Sequence, residues 1–153
     1  MILAQLSNGL TGVNMLKLKV KDFQKGLIES IDEKGAKRRV CMLNLVRQKT
    51  DKKYTTFFSE EAVIAIEKYL ERERIKPQGN EALFSSYKMG NKHMTTTALQ
   101  TSYRHLNEYI GWEQEEKGRF RKATSHMMRK TFNTLLIMQE CQKRLESILW
   151  GML

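Results

Sequence analysis

The sequence is poor in cysteine, with only two such residues among 153. Neither Cys41 nor Cys141 has a second cysteine at CxxC spacing, so we expect both thiols to be reduced, as in a cytoplasmic protein. The three histidines, His93, His105 and His126, show no ligand spacing with one another or with the cysteines. The sequence therefore argues against a structural zinc site.

Long apolar runs are missing as well. No stretch approaches the roughly 20 residues that a membrane-spanning helix needs. The opening MILAQLSNGL also lacks the basic region and the long apolar segment of a secretory signal. We therefore expect a cytoplasmic protein without a membrane partner.

Acidic residues are in short supply. Seventeen Asp and Glu against 27 Lys and Arg leave a formal net charge of +10, and such a field gathers polyanions such as nucleic acid or an anionic membrane surface. A composition of 41% hydrophobic and 29% charged residues is typical of a globular chain. The length predicts a single domain that can bury a core.

The order of patterns predicts a mixed α+β domain, mostly helical with a three-stranded antiparallel sheet. Two short helical segments, Ile2 to Leu6 and Val13 to Leu18, come first. A β region from Leu27 to Phe58 follows, in which LIESID, RRVCMLNLV and KYTTFF are three successive strands of a meander.

Four helical segments follow the predicted sheet. The first has Ser59 as its N-cap, and the second is TTTALQTSYRHLNEYIG, with Gly111 as its end signal. The third begins at Thr124 or Ser125, and the fourth is CQKRLESILWGML. On the third helix we expect a buried side made of Met127, Met128, Phe132, Leu135, Leu136 and Met138.

Basic residues form two clusters along the chain. The segment from Lys37 to Lys53 carries seven Lys or Arg against one acid, and the segment from Lys117 to Lys130 carries six with no acid. A charge run is often only a solvated face, but two clusters that converge in space would form a surface that follows phosphates. The candidate phosphate contacts are Arg47, Lys52, Lys53, Arg119, Arg121, Lys122 and Lys130.

The stretch SHMMRKTF places His126 and Arg129 about one helical turn apart. Two cationic donors would then face one place, which suits an anion better than an apolar core. The plainer interpretation is a surface helix with an ordinary basic residue, and the spacing alone does not decide between the two.

Four stretches in this order resemble the catalytic domain of the tyrosine recombinases, the phage integrase family. NGLTGVNMLKLKVKDF resembles the family's T-G-L-R-x-x-E-L-L-x-L box. RQKTDKKYTTFFSEEA is similar to the hairpin that holds the family's catalytic lysine and to the helix after it. SHMMRKTFNT resembles the H-x-L-R-x-x-F box, and LESILWGML resembles the helix that ends in L-G-H.

The resemblance implies a site for DNA strand cleavage and joining through a phosphotyrosine bond, with no metal or nucleotide cofactor. By position, Arg129 and His126 match the family's second arginine and its paired histidine, which contact the scissile phosphate. Lys49 matches the lysine that protonates the leaving 5′ oxygen, and Lys34 is the second choice for that role. The basic residues of the two clusters become candidate contacts to double-stranded DNA.

The match departs from the family at decisive positions. Thr11 stands where the family has its first arginine, and Asn14 stands where it has an acid. Met152 replaces the L-G-H histidine, and none of the five tyrosines lies after His126, where the family has its nucleophile. Losing one anion donor costs about 3 to 4 kcal/mol in related oxyanion sites. We therefore expect this chain, on its own, to bind DNA without cleaving it.

These matches lead us to expect one integrase-type catalytic domain over residues 1–153, incomplete at both ends. It would be a fragment or decayed copy from a mobile element, cytoplasmic and nucleoid-associated. An open alternative is a non-enzymatic regulator that occupies recombination sites or pairs with other recombinase protomers. An RNA-binding protein is disfavoured, because the aromatic residues fall at core spacings and not on one strand face.

Overall fold

The computed structural model describes residues 1–31, 35–46, 51–74, 77–85, 93–112 and 123–150. The helices and strands in these ranges are α1 (Ile2–Asn8), α2 (Gly12–Leu16), α3 (Val20–Gly26), β1 (Leu27–Ile31), β2 (Lys37–Val46), β3 (Lys53–Phe58), α4 (Glu60–Glu73), α5 (Thr96–Tyr109) and α6 (Ser125–Trp150). The predicted fold class is confirmed, since the domain is mostly helical and contains a three-stranded antiparallel sheet.

The sheet is an antiparallel meander in the order β1-β2-β3. Leu27 pairs with Cys41 in the first ladder, and Cys41 pairs with Phe58 in the second. Successive side chains of a strand point to opposite faces, and this alternation buries Cys41, Leu43 and Phe58 on the inner face. The three strands begin and end within one residue of the predicted positions, because alternation and β-branched content are strong in this part of the sequence.

Helix α3 is absent from the sequence-based prediction. VKDFQKG offers only Val20 and Phe23 as apolar positions, which is too few for a periodic signal. Both side chains are buried, and the rings of Phe23 and Phe58 lie 6.3 Å apart between centroids. Gly26 ends the helix directly against β2, where a Cβ atom would lie 2.2 Å from the carbonyl oxygen of Met42.

Two apolar clusters hold the helices in place. The larger cluster joins the four helices α1, α2, α3 and α4 to the inner face of the sheet and includes Phe23 and Phe58. The smaller joins α2 and α5 to the segment before α6 through Leu16, Leu99 and Ala123. The amino-terminal helices therefore contact both the sheet and the carboxyl-terminal helix.

Helix α6 runs without a break from Ser125 to Trp150. The prediction of a separate final helix over CQKRLESILWGML is therefore wrong. Thr124 is the N-cap, because its hydroxyl oxygen accepts a hydrogen bond from the backbone N–H of Met127 at 3.1 Å.

The buried side predicted for α6 is only partly correct. Met128 and Phe132 are half-buried, whereas the exposed fractions are 46, 56, 42 and 62% for Met127, Leu135, Leu136 and Met138. The helix that packs most extensively against the described part of α6 is α1, which has 7 residues against 26 in α6. At 1.5 Å per residue these helices are about 10 and about 39 Å long, so α1 covers only the first part of α6.

The described helices include none that is long and apolar enough to cross a membrane. Among the described residues, no three His, Cys, Asp or Glu side chains converge as they would around a metal ion.

The two cysteines are both free thiols in different surroundings, with Cys41 buried and Cys141 exposed. Burial, together with a smaller effect from the charge of Asp22, raises the pKa of Cys41 to about 12. Its sulfur also donates towards the carbonyl oxygen of Phe23 at 3.3 Å. Cys41 is thus a protonated core residue at neutral pH.

A thiol reagent at pH 8 will label one cysteine in the folded chain. Cys141 is exposed and is expected to react at once. Cys41 is expected to react only when the chain unfolds, because the thiolate is the reactive form and the buried thiol is both protonated and covered. Absorbance of an aromatic disulfide reagent measures both phases. Cys141→Ser should remove the fast phase, and immediate labelling of two thiols in native protein would contradict the burial of Cys41.

Candidate functional site

A cleft of about 410 Å³ opens between the amino-terminal turn, the free edge of β3 and the start of α6. Three segments that are far apart in sequence line it. They contribute Asn8, Gly9, Leu10 and Asn14 from the amino-terminal turn, residues 52–56 from β3 and the residue before it, and Arg129, Phe132 and Asn133 from α6.

Three cations face this cleft, namely Lys52, Lys53 and Arg129. The two lysines are exposed and the arginine is half-buried. The cleft lining within the described ranges includes no Asp or Glu. A guanidinium and two ammonium groups without a neutralising acid favour an anion, and the planar guanidinium suits a phosphate with two oxygens in particular.

The amino-terminal turn is shaped by Gly9 and Thr11. Gly9 follows α1 with φ at +62°, and a Cβ there would lie 2.2 Å from Cδ1 of Phe132. Thr11 is the N-cap of α2, and its side-chain oxygen accepts from the backbone N–H of Asn14 at 3.4 Å. The threonine therefore caps a helix and brings no charge to the cleft, whereas Asn14 lines it.

Helix α6 is seated on this turn through two close contacts. Phe132 packs against Gly9, and Ser125 packs against Gly12, where a Cβ would lie 3.0 Å from the Ser125 hydroxyl oxygen. Phe132 also contacts Phe57 of β3, with ring centroids 6.1 Å apart. These contacts bracket Arg129, which lies between Ser125 and Phe132 on the same helix.

The predicted site residues fall into three groups. Arg129, Lys52 and Lys53 meet in the cleft. His126 and Lys130 are exposed near the start of α6 and are not among the residues that line the cleft. The other predicted site residues lie outside the described residues, and they are Arg47, Lys49, Arg119, Arg121 and Lys122. The same holds for Lys34, the second choice for the catalytic lysine, and for Met152, which replaces the family's histidine.

The sequence analysis did not assign Tyr54 to the site, although it lines the cleft beside Lys53. The sequence did contain a signal for Tyr54, because this residue directly follows Lys53, a predicted phosphate contact, on the outermost strand of the meander. Tyr103 is buried and Tyr109 is 90% exposed, whereas Tyr69 shares a hydrogen bond of 3.1 Å with Ser85. Tyr54 is therefore the tyrosine of the described chain that borders the cleft.

Phe132 also lines a second depression. It has a volume of about 310 Å³, and we call it the apolar groove. Its apolar side chains come from α1, β3 and α6, and they are Leu3, Leu6, Phe57, Phe132, Leu135 and Leu136. Phe132 is thus shared by the cleft and the apolar groove.

The chain is similar to proteins of one kind. The model of the phage integrase family matches residues 13–146, and no curated protein matches the chain. The crystal structure of XerA recombinase is similar with a TM-score of 0.58 and 21% identity, over 88% of this chain and 41% of that chain. The Tn1549 transposon integrase, solved in complex with a circular intermediate DNA, is similar with a TM-score of 0.54 and 18% identity, over 90% of this chain and 45% of that chain.

The chain thus spans less than half the length of either solved structure. At these identities the likeness to the two solved structures shows the fold. The range matched by the family model, residues 13–146, contains the sheet, most of the amino-terminal helices and α6 up to residue 146.

Proposed function

Because the chain belongs to the phage integrase family, we propose that its cleft binds a backbone phosphate of double-stranded DNA within a site-specific recombinase or integrase catalytic domain. The observation that carries this proposal is the convergence of Lys52, Lys53 and Arg129 in one cleft without an acid among the described lining residues. The lysines come from the β3 end of the hairpin and the arginine from α6, so only the folded chain presents them together.

The net charge of +10 supports the same partner. A field of this sign draws DNA to the surface without regard to sequence, and the cleft then selects a single phosphate from the backbone. Such binding releases counterions, so it weakens steeply as the salt concentration rises.

Arg129 is the residue that we assign to a non-bridging phosphate oxygen, where negative charge builds up during phosphoryl transfer. His126 lies one turn earlier on α6 and is exposed, and it is the second proposed donor. Lys49 is the proposed general acid for the leaving 5′ oxygen, as its match to the family's lysine implies.

Cleavage would require further groups that this sequence does not supply at the family positions, and the first arginine and the nucleophile are two of them. Thr11 replaces an arginine, and none of the five tyrosines stands at the position of the nucleophile. We therefore propose that the chain alone holds DNA without forming a phosphotyrosine bond.

A fluorescence-anisotropy titration and a denaturing gel test both parts of this proposal. A labelled duplex with one nick and an intact duplex are titrated across a salt series. We expect micromolar binding with a steep salt dependence, because phosphate contacts dominate, and no covalent adduct on the gel. Absence of binding at low salt would overturn the DNA-binding proposal, and an adduct would overturn the claim that cleavage is lost.

The apolar groove favours a second candidate, a non-enzymatic regulator that pairs with other recombinase protomers. Leu135 and Leu136 at the groove are 56 and 42% exposed, and Ile137 beside them is 63% exposed. Mixing the chain with a full-length recombinase on one duplex distinguishes the candidates. A pairing regulator would migrate in a ternary complex, whereas an independent DNA-binding domain would displace the recombinase.

A further inference from the structure

We propose that Gln5 is a positioning residue that holds Arg129 at the phosphate cleft, an inference that rests on the function proposed above. Gln5 lies on α1 and is fully buried, at 0% exposed. Its side-chain nitrogen Nε2 donates to the carbonyl oxygen of Leu10 at 3.0 Å and to the hydroxyl oxygen of Ser125. Its oxygen Oε1 accepts from the Tyr103 hydroxyl at 2.5 Å.

The orientation of the amide follows from its partners. A backbone carbonyl can only accept a hydrogen bond, so Nε2 must face Leu10, and Oε1 must face the phenol of Tyr103. Every hydrogen-bonding atom of this buried amide is thereby used in a definite direction. A buried polar group satisfied in this way rigidifies the elements that it joins.

The three partners belong to three different parts of the fold. Leu10 lines the cleft and directly precedes Thr11. Tyr103 is on α5 in the smaller apolar cluster. Ser125 is the first residue of α6, one turn before Arg129. One amide therefore fixes the distance between the amino-terminal turn and the helix that carries the arginine.

A shift of α6 at Ser125 is passed to Arg129, because one turn of a hydrogen-bonded helix moves as a rigid unit. The two glycine contacts limit the remaining freedom: Gly12 lies against Ser125 and Gly9 lies against Phe132. With Gln5 intact, Arg129 is held between two fixed points. Without it, the Ser125 end is released while the Phe132 end remains.

The opposite side of the cleft is held from the same helix. The backbone carbonyl of Asn8, one turn after Gln5, accepts from the Thr56 hydroxyl of β3 at 2.7 Å. Through Asn8, α1 thus contacts β3, the strand that carries Lys53. Through Gln5, the same helix contacts α6, which carries Arg129. The spacing of the two cations across the cleft is set by α1.

A merely structural role for Gln5 predicts a loss of stability and nothing else, so the test needs a readout of position. Two spin labels, at Lys68 on α4 and Thr134 on α6, report the placement of α6 relative to the body, since both sites are exposed. Cys141→Ser removes the reactive native thiol, and Cys41 is buried. Gln5→Met combined with Tyr103→Phe removes the amide and its phenol partner together, so that no unpaired hydroxyl remains at Tyr103.

We expect the distance distribution between the labels to broaden in the Gln5→Met/Tyr103→Phe protein. Arg74→Met is the matched control, because Arg74 is also a buried polar residue, bonded to the Ala82 carbonyl at 2.9 Å, but it is remote from the cleft lining. It should lower stability without broadening the distribution. An unchanged distribution in the Gln5 variant would overturn the proposal whether or not the chain binds DNA. If the double variant does not fold, Ser125→Ala removes a single partner and should give the same change in weaker form.

A double-mutant cycle then connects position to binding. In the wild-type background Arg129→Gln should weaken duplex binding about tenfold, the loss of one charge-assisted contact. In the Gln5→Met/Tyr103→Phe background the same change should cost about threefold, because the arginine is already misplaced. An effect of equal size in both backgrounds would overturn the proposal, whereas no effect of Arg129→Gln in the wild type would instead count against the proposed function.

Discussion

Replacing Lys52, Lys53 and Arg129 together with glutamine will weaken binding to duplex DNA about a hundredfold and flatten its salt dependence. Arg129 is expected to contribute about 1.4 kcal/mol and each lysine about 0.7 kcal/mol through phosphate contacts, and a total near 3 kcal/mol corresponds to roughly a hundredfold in affinity. Because each neutralised phosphate contributes about 0.9 to the slope of log K against log salt concentration, the slope should fall by about three. Anisotropy titrations at several salt concentrations give both quantities.

The matched control removes the same charge elsewhere. Lys25, Lys68 and Lys143 are exposed lysines outside the cleft lining, and their triple glutamine variant has the same net charge as the cleft variant. If affinity followed net charge alone, the two triple variants would bind equally. That outcome would reduce the cleft to one part of a diffuse basic surface and would contradict the phosphate site.

Replacing Gly9 with alanine will lower the free energy of unfolding by about 2 to 4 kcal/mol. Gly9 has φ at +62°, where a side chain costs about 1 kcal/mol or more, and its Cβ would lie 2.2 Å from the Phe132 ring. The ring must therefore move, and overpacking at a contact site costs about 1 to 3 kcal/mol. Urea unfolding followed by circular dichroism measures the change.

Gly35 provides the control for the conformational part of this effect. Its φ is +77°, but a Cβ at Gly35 would have no atom within 4 Å. Gly35→Ala should therefore cost about 1 kcal/mol, and the difference between the two variants is the contribution of the Phe132 contact. Equal losses would show that the contact between Gly9 and Phe132 has no energetic weight and that α6 is seated by other residues.

The sheet could be predicted from the sequence because its information is local. Alternation along RRVCMLNLV places Cys41 and Leu43 on one face whatever the rest of the chain does. Helix α6 shows the limit of the same reasoning. The apolar side chains of Leu135 and Met138 have helical spacing, but periodicity identifies a face and not the element that covers it, and both side chains remain exposed although Leu135 borders the groove beside α1.

The candidate site likewise has a part that could be predicted from the sequence and a part that could not. The chemistry of Arg129 and Lys53 could be predicted from local motifs, but their convergence depends on contacts between segments more than 70 residues apart in sequence. Gln5 gave no signal at all, since a glutamine in a short helix is typical of a solvent-facing position. Its burial and its partners at Leu10, Tyr103 and Ser125 become evident only in the folded structure.

The packing of α1 against α6 joins two helices that are more than 115 residues apart in sequence. On the ribosome the amino-terminal helices and the sheet emerge first and can form the larger apolar cluster among themselves. The wall of the cleft that carries Arg129 arrives only after more than 120 residues have been synthesised. A nascent chain therefore lacks the Arg129 wall of the cleft until α6 has been synthesised, and the proposed phosphate site is incomplete before that point.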